Sequence, residues 1–144
     1  MQGGRISLNP FPMTNHTILS YSRRFQLWSH TVSHGQLLLR STNGSEHGTH
    51  TTQVDVLFKN VGMISIPTLF DGLTVISVSL DELVADGPAV TARSSQGRKC
   101  FRLEGDDCRG SIIASVVAWS EEDAEYYDES KLLSGTWAGT TRWG

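Results

Sequence analysis

No apolar run in this chain is long enough to span a bilayer as a helix, which takes roughly 18 or more residues; the longest candidate is Ser111 to Trp119. The chain is therefore not expected to cross a membrane. Cysteine is nearly missing: only Cys100 and Cys108 occur in 144 residues, too few for a disulfide-stapled scaffold. Reduced thiols are the expectation, although the turn between them leaves cross-strand pairing open. Basic charge is in the minority, with 12 Lys and Arg against 15 Asp and Glu, a net charge of −3 and a pI near 5.9. A field of that sign repels a phosphate backbone, so nucleic-acid binding is not expected. Catalytic signatures are missing too. No G-x-S-x-G elbow presents a nucleophilic serine, and Gly3, Gly4, Gly44, Gly48 and Gly105 form neither a phosphate loop nor a dinucleotide fingerprint. No cofactor is implied, and the chain does not read as an enzyme.

Residues Met1 to Pro12, MQGGRISLNPFP, lack the apolar centre and small-residue cleavage site of a secretory signal, which makes the cytoplasm the expected compartment. They precede Met13, a second candidate start, and read as a flexible N-terminal extension (1–12) ahead of a single β-rich domain (13–144). With 38% hydrophobic and 19% charged residues, the chain is too apolar to stay disordered and long enough to bury roughly 68–70% of its unfolded surface.

Hydrophobic periodicity points to strands. FQLWSHTVS from Phe25, then His34-Gly35, then QLLLRST, reads as a hairpin. A two-residue loop would pair Val32 with Leu37, His30 with Leu39 and Trp28 with Ser41, collecting Trp28, His30, Val32, Leu37 and Leu39 on the core face. Asn43 to His50 reads as a surface loop. In Thr52 to Phe58, Val54, Val56 and Phe58 alternate with Gln53 and Asp55, the pattern of a strand with one wet face; Leu57 breaks it. Met63 to Ile66 is a short run ended by Pro67, suited to a sheet edge. Asp71-Gly72 reads as a turn into Leu73–Leu80, with Thr74, Ile76, Val78 and Leu80 on one side. A short helical turn is expected near Asp81 to Ala85, then an open connection to Arg98. Cys100–Leu103 and Ser111–Trp119 flank the turn-rich EGDDCRG and form a second hairpin, whose later strand is apolar on both parities and so covered on both faces. The expected fold is all-β, mainly antiparallel: a sandwich or partly open barrel of about seven short strands, with a short helix after Trp119 as a further element.

Three groups of residues invite a functional reading. Of five histidines, His30, His34, His47 and His50 fall within 21 residues, and clustered imidazoles bind zinc and its relatives. A small-ligand or metal-binding barrel with these four around its mouth is thus one hypothesis; the plainer reading makes His30 a half-buried, hydrogen-bonded side chain and the others solvated. A catalytic thiol needs an oriented base beside it, and Cys100 next to Phe101 reads instead as a small buried hydrophobe. The carboxylates Asp55, Asp106 and Asp107 fit ordinary surface positions.

The most distinctive stretch is EEDAEYYDE, Glu121 to Glu129. Six of its nine residues are acids, so a tract of −6 sits in a chain of −3 and the remainder is positive. The acids Glu121, Glu122, Asp123, Glu125, Asp128 and Glu129 would speed association with a basic protein, and Tyr126 and Tyr127 would supply contact area. The plainer reading is a solvated helix start capped by Ser120. In outline, a small β-rich chain with an acidic, aromatic patch and no active-site motif is similar to immunity proteins that neutralise bacterial toxins by binding; the similarity is one of general character, carried by no residue motif, and implies binding rather than catalysis. A non-enzymatic protein-binding domain is therefore the leading expectation. Self-association through an apolar edge strand is a third.

Overall fold

The computed structural model describes residues 15–41, 52–123 and 140–143. These contain nine strands: β1 (His16–Thr31), β2 (Gln36–Ser41), β3 (Gln53–Lys59), β4 (Met63–Ser65), β5 (Leu69–Val78), β6 (Lys99–Glu104), β7 (Arg109–Ala114), β8 (Val116–Glu122) and β9 (Thr140–Trp143). Two short helices, α1 (Leu80–Ala85) and α2 (Ala92–Ser95), lie between β5 and β6. The strands form one sheet in the order β4-β7-β6-β5-β1-β2-β3-β8-β9, and every ladder is antiparallel. The fold is all-β, as expected, with β1 much longer than the short strands anticipated. Among the described residues no helix is long and apolar enough to cross a membrane.

The sheet rolls because β7 and β8, second and eighth in its order, are joined by Ser115 alone. β3 and β4 run antiparallel along β8 and β7 as one bent ladder, from Gln53 opposite Glu122 to Ser65 opposite Ser111. At the bend the Ser115 amide donates to the Lys59 carbonyl at 2.9 Å, and the Gly62 amide to the Ile113 carbonyl at 2.8 Å. Strands remote in the order therefore meet inside: the rings of Phe58 on β3 and Phe101 on β6 pack edge to face, 5.5 Å between centroids. Around them lie Phe25, Leu39, Val56, Phe70, Leu73, Val75, Leu103, Ile112 and Val117, all fully buried. Each such side chain contributes about 1.5–3 kcal/mol.

The alternation of Val54, Val56 and Phe58 into this core was legible, but the opposite face of β3 is dry rather than wet. Gln53, Asp55 and Leu57 are buried as well. Leu57 packs with Leu38, Ala118 and Trp28 in a second apolar cluster. Asp55 stands between Arg40 and Ser120 in register, and Arg40, 1% exposed, donates from Nε to Asp55 Oδ1 at 2.8 Å and from Nη2 to Oδ2 at 3.3 Å. The Trp28 ring lies over the guanidinium, 4.8 Å from its carbon. Asp55 is thus a buried ion-pair partner and not the surface acid expected.

The first hairpin also differs. Val32–His34 form a 3-10 turn closed by Gly35 in the left-handed region, φ 58°, so four residues rather than two connect the strands. His30 consequently pairs with Leu37, and a bulge between Leu27 and Ser29 returns Leu27 to Leu39. Trp28 moves to the second face, while Val32 and His30 end up exposed. Asp71-Gly72 is no turn: both lie inside β5, where Gly72, φ 77°, sits opposite a bulge in β1 between Tyr21 and Arg24. That irregularity places Phe70, Leu73 and Val75 in the main core instead of Thr74, Ile76, Val78 and Leu80; Val78 joins Leu83 and Cys100 in a third cluster under α1.

Helix α1 begins where expected, with the Glu82 amide donating to the Ser79 hydroxyl at 3.1 Å. Arg102 of β6 holds it, donating to Asp86 at 2.8 Å and to Glu82 at 3.2 Å. The second hairpin is present as β6 and β7, and the Ser111–Trp119 run is buried on both faces but broken at Ser115. Ser120 is a strand residue opposite Asp55 and not a helix cap. The strand continues past Trp119 to Glu122, so the short helix expected after Trp119 does not start there, and residues 124–139 lie outside the described residues.

Because an unpaired buried arginine cannot recover its hydration, Asp55→Ala is expected to lower unfolding free energy by about 3–5 kcal/mol, whereas the apolar pair Arg40→Met with Asp55→Leu restores most of it. Urea unfolding of the three proteins measures this; a loss below about 1 kcal/mol in Asp55→Ala would show the pair to be energetically idle.

Candidate functional site

The bulge in β1 opposite Gly72 of β5 opens a recess at one end of the rolled sheet. Tyr21 pairs with Leu73 and Arg24 with Asp71, leaving Ser22 and Arg23 as the bulge opposite Gly72. The β6–β7 turn folds over this point: the Asp106 amide donates to the Asp71 carbonyl at 2.8 Å, and the Gly105 amide to the Cys108 carbonyl at 2.9 Å. A Cβ on Gly72 would lie 3.2 Å from Asp106 Oδ1, on a backbone that L-residues already disfavour. The result is a cleft of about 400 Å3 lined by Ser22, Arg23, Arg24, Asp71, Gly72, Asp106 and Asp107. A second recess, of about 250 Å3, continues it past Thr74 and Glu104 and shares Ser22, Gly72 and Asp106.

The charges in the cleft are unequally engaged. Arg24 Nε meets Asp71 Oδ1 at 2.8 Å. Asp106 and Asp107 are exposed, and among the described residues neither carboxylate has an ion-pair partner. Arg23 is buried and turned toward the ends of three other strands. Its Nε donates to the Ser41 hydroxyl at 3.1 Å, its Nη1 to the Thr52 hydroxyl at 2.9 Å, and its Nη2 to the Thr52 carbonyl. The Thr52 hydroxyl passes the chain on, donating to Glu121 Oε2 at 2.8 Å, which itself lies 3.8 Å from Arg23 Nη1. Burial lowers the pKa of Arg23; the negative charge of Glu121 opposes that shift, with a smaller opposing contribution from Tyr21.

Arg23 thus connects the cleft to the first residue of the acidic tract. Glu121 and Glu122 close β8, opposite Val54 and Gln53, and Asp123 follows, exposed. Glu125, Tyr126, Tyr127, Asp128 and Glu129 lie outside the described residues. The histidines stand elsewhere. His34 is exposed in the 3-10 turn and His30 at the adjoining end of β1, so both sit beside the start of β2, whereas Arg23 bonds Ser41 at its end. His30 is therefore not the half-buried, hydrogen-bonded residue of the plainer reading, because the lengthened turn carries it past the core. His47 and His50 fall outside the described residues; among those described, no group of three or more His, Cys, Asp or Glu could hold a metal ion.

Sequence reading missed Arg23, Asp71 and Gly72 as site residues. The available signals were the Arg23-Arg24 doublet in an otherwise strand-like run and an Asp-Gly pair that a bulge uses as readily as a turn.

Both cysteines are free thiols, Cys100 buried and Cys108 partly so. Burial raises the pKa of each; at Cys108 the nearby Asp107 carboxylate raises it further, and the Gly105 amide partly offsets this. At pH 8 Cys108 should therefore react with iodoacetamide more slowly than a thiol in an unstructured peptide, and Asp107→Asn should speed it roughly twofold to threefold. Peptide-mapped labelling rates decide the point: equal rates in the two proteins would remove the role given to Asp107. Compared with known proteins, the chain matches no family model, no curated protein and no solved structure.

Proposed function

We propose that this chain is a non-enzymatic protein-binding domain that docks a basic partner on the acidic end of the rolled sheet. The observation that carries this reading is the position of Arg23: it lines the cleft with Asp71, Asp106 and Asp107 and is ion-paired to Glu121. Acids far apart in sequence therefore share one end of the molecule. Four carboxylates lie together there, those of Asp71, Asp106, Asp107 and Glu121, with the guanidiniums of Arg23 and Arg24 among them, and Glu122 and Asp123 follow Glu121 in the chain. Such a field accelerates the approach of a lysine- or arginine-rich surface and discourages nucleic acid. On this reading the tract continues the surface through Glu125, Asp128 and Glu129, and Tyr126 and Tyr127 provide the apolar contact that charge alone does not. The setting is the cytoplasm, which the free thiols support.

A labelled oligoarginine peptide provides the test. Neutralising Asp106, Asp107, Glu122 and Asp123 together, as Asn or Gln, should weaken binding about tenfold and flatten its salt dependence. Asp106→Asn alone should weaken it more than Asp81→Asn, which changes net charge equally but lies on α1. Fluorescence anisotropy over a salt series reads both comparisons. If the fourfold variant binds as the intact protein does, or if Asp81→Asn matters as much as Asp106→Asn, the acidic end is not a docking site.

A further inference from the structure

Helix α1 carries an apolar face that the core does not use. Leu80 and Val84, one turn apart and therefore on the same side, are 41% and 48% exposed, while Leu83 between them is fully buried. The other large exposed hydrophobic residues among those described, Val32 and Leu69, lie elsewhere, on the β1–β2 turn and at the start of β5. Beside α1 stands the first described residue of the chain. β1 enters antiparallel to the end of β5, with His16 opposite Ser77, and α1 follows that strand after Ser79. Just ahead of β1, the Asn15 side-chain amide donates to Glu82 Oε2 at 2.8 Å, and Arg102 of β6 binds the same oxygen at 3.2 Å. The chain that precedes β1 is thus anchored on α1. By helical period Glu82 is on the flank away from Leu80 and Val84, and a helix with its side chains is about 10–12 Å wide. Four extended residues cover about 13 Å, which brings Phe11 within reach of the exposed face, and extending the β1–β5 register sets position 13 level with Leu80. No charged residue between Arg5 and Asn15 opposes burial there.

We propose that the segment ahead of β1 docks on α1, with Phe11 and Met13 covering Leu80 and Val84. Pro10 and Pro12 favour this, because each fixes φ and leaves less backbone freedom to be lost on docking. Asn15 is the fixed end from which the segment is laid down, which makes the contact intramolecular and spares it the cost of association. The contact is independent of the docking of a basic partner, since none of the acids lining the cleft takes part in it.

Methionine oxidation tests this, because peroxide converts an accessible thioether to the sulfoxide faster than a covered one. In the intact protein Met13 should oxidise about fivefold more slowly than in a synthetic peptide of residues 1–14, with both followed by peptide mapping. Leu80→Gln with Val84→Gln, both at exposed positions, should return Met13 to within about twofold of the peptide rate. Phe11→Ser leaves α1 untouched, should act likewise, and serves if the double variant does not fold. A Met13 that keeps the peptide rate in the intact protein, or that stays equally slow in the folded variants, overturns the inference. So does a second copy of the chain on this face, which sedimentation would show as a dimer dissociated by Leu80→Gln with Val84→Gln while Met13 keeps the peptide rate.

Discussion

The buried pair of Arg40 and Asp55 marks the constraint around which the sheet is organised, namely that β3 is enclosed on both faces. One face carries Val54, Val56 and Phe58 into the main core, and the other carries Asp55 and Leu57 toward Arg40, Leu38 and Ala118. A strand in that position has no wet side on which to hide a charge. Asp55 is tolerated because the residue opposite it on β2 is an arginine whose fork covers both carboxylate oxygens, and because Trp28 closes over the guanidinium. The pairing also opposes slippage. Moving β3 by one residue against β2 would turn Asp55 toward the phenylalanines of the main core, where no counter-charge exists among the described residues.

Enclosure of β3 follows from the roll, and the roll from the bend at Ser115. Since β7 and β8 continue almost without interruption, the partner of β8 becomes the partner of β7 after a short detour through Asn60 to Gly62. Asn60 takes a left-handed backbone, φ 54°, and its amide donates to the Ser115 hydroxyl at 2.7 Å, with Arg98 bound to its carbonyl at 2.8 Å. That corner holds one end of the long ladder. At the other end β2, β3 and β8 finish or begin together, and Arg23 joins them. The same geometry that closes the core brings Glu121 beside a bulge in β1.

Much of the fold was legible because side-chain period reports strands directly. The strands β3, β6 and β7, the turn between the last two and the start of α1 all follow from alternation and turn residues. What was not legible depends on single-residue insertions. A bulge near Trp28 and a four-residue connection in place of two exchange the faces of β1, so Trp28, His30 and Val32 were assigned to a core that only Leu37 and Leu39 enter. Gly72 looks like a turn residue because a positive φ is what turns and bulges share. Asp55 looks wet because a buried carboxylate is recognisable only through its partner, fifteen residues away on another strand. Of the site, the acidic tract was visible in composition, whereas the link of its first residue, Glu121, through Arg23 to the cleft of Asp106 and Asp107 required the bulge and the roll.

The distribution of arginine completes the electrostatic argument. Arg24 is bound to Asp71, Arg40 to Asp55, Arg102 to Asp86 and Glu82, and Arg109 to Asp86 and Glu104. Arg98 is occupied by carbonyls of Asn60, Arg93 and Ser94. Among the described residues these arginines are thus engaged within the fold, where they fasten α1, the corner at Asn60 and the second face of β3. Among the described residues Asp106, Asp107 and Asp123 have no ion-pair partner. The charge asymmetry in the sequence therefore becomes, after folding, a contrast between arginines engaged within the fold and exposed acids such as Asp106, Asp107 and Asp123, at which an external cation gains by replacing water.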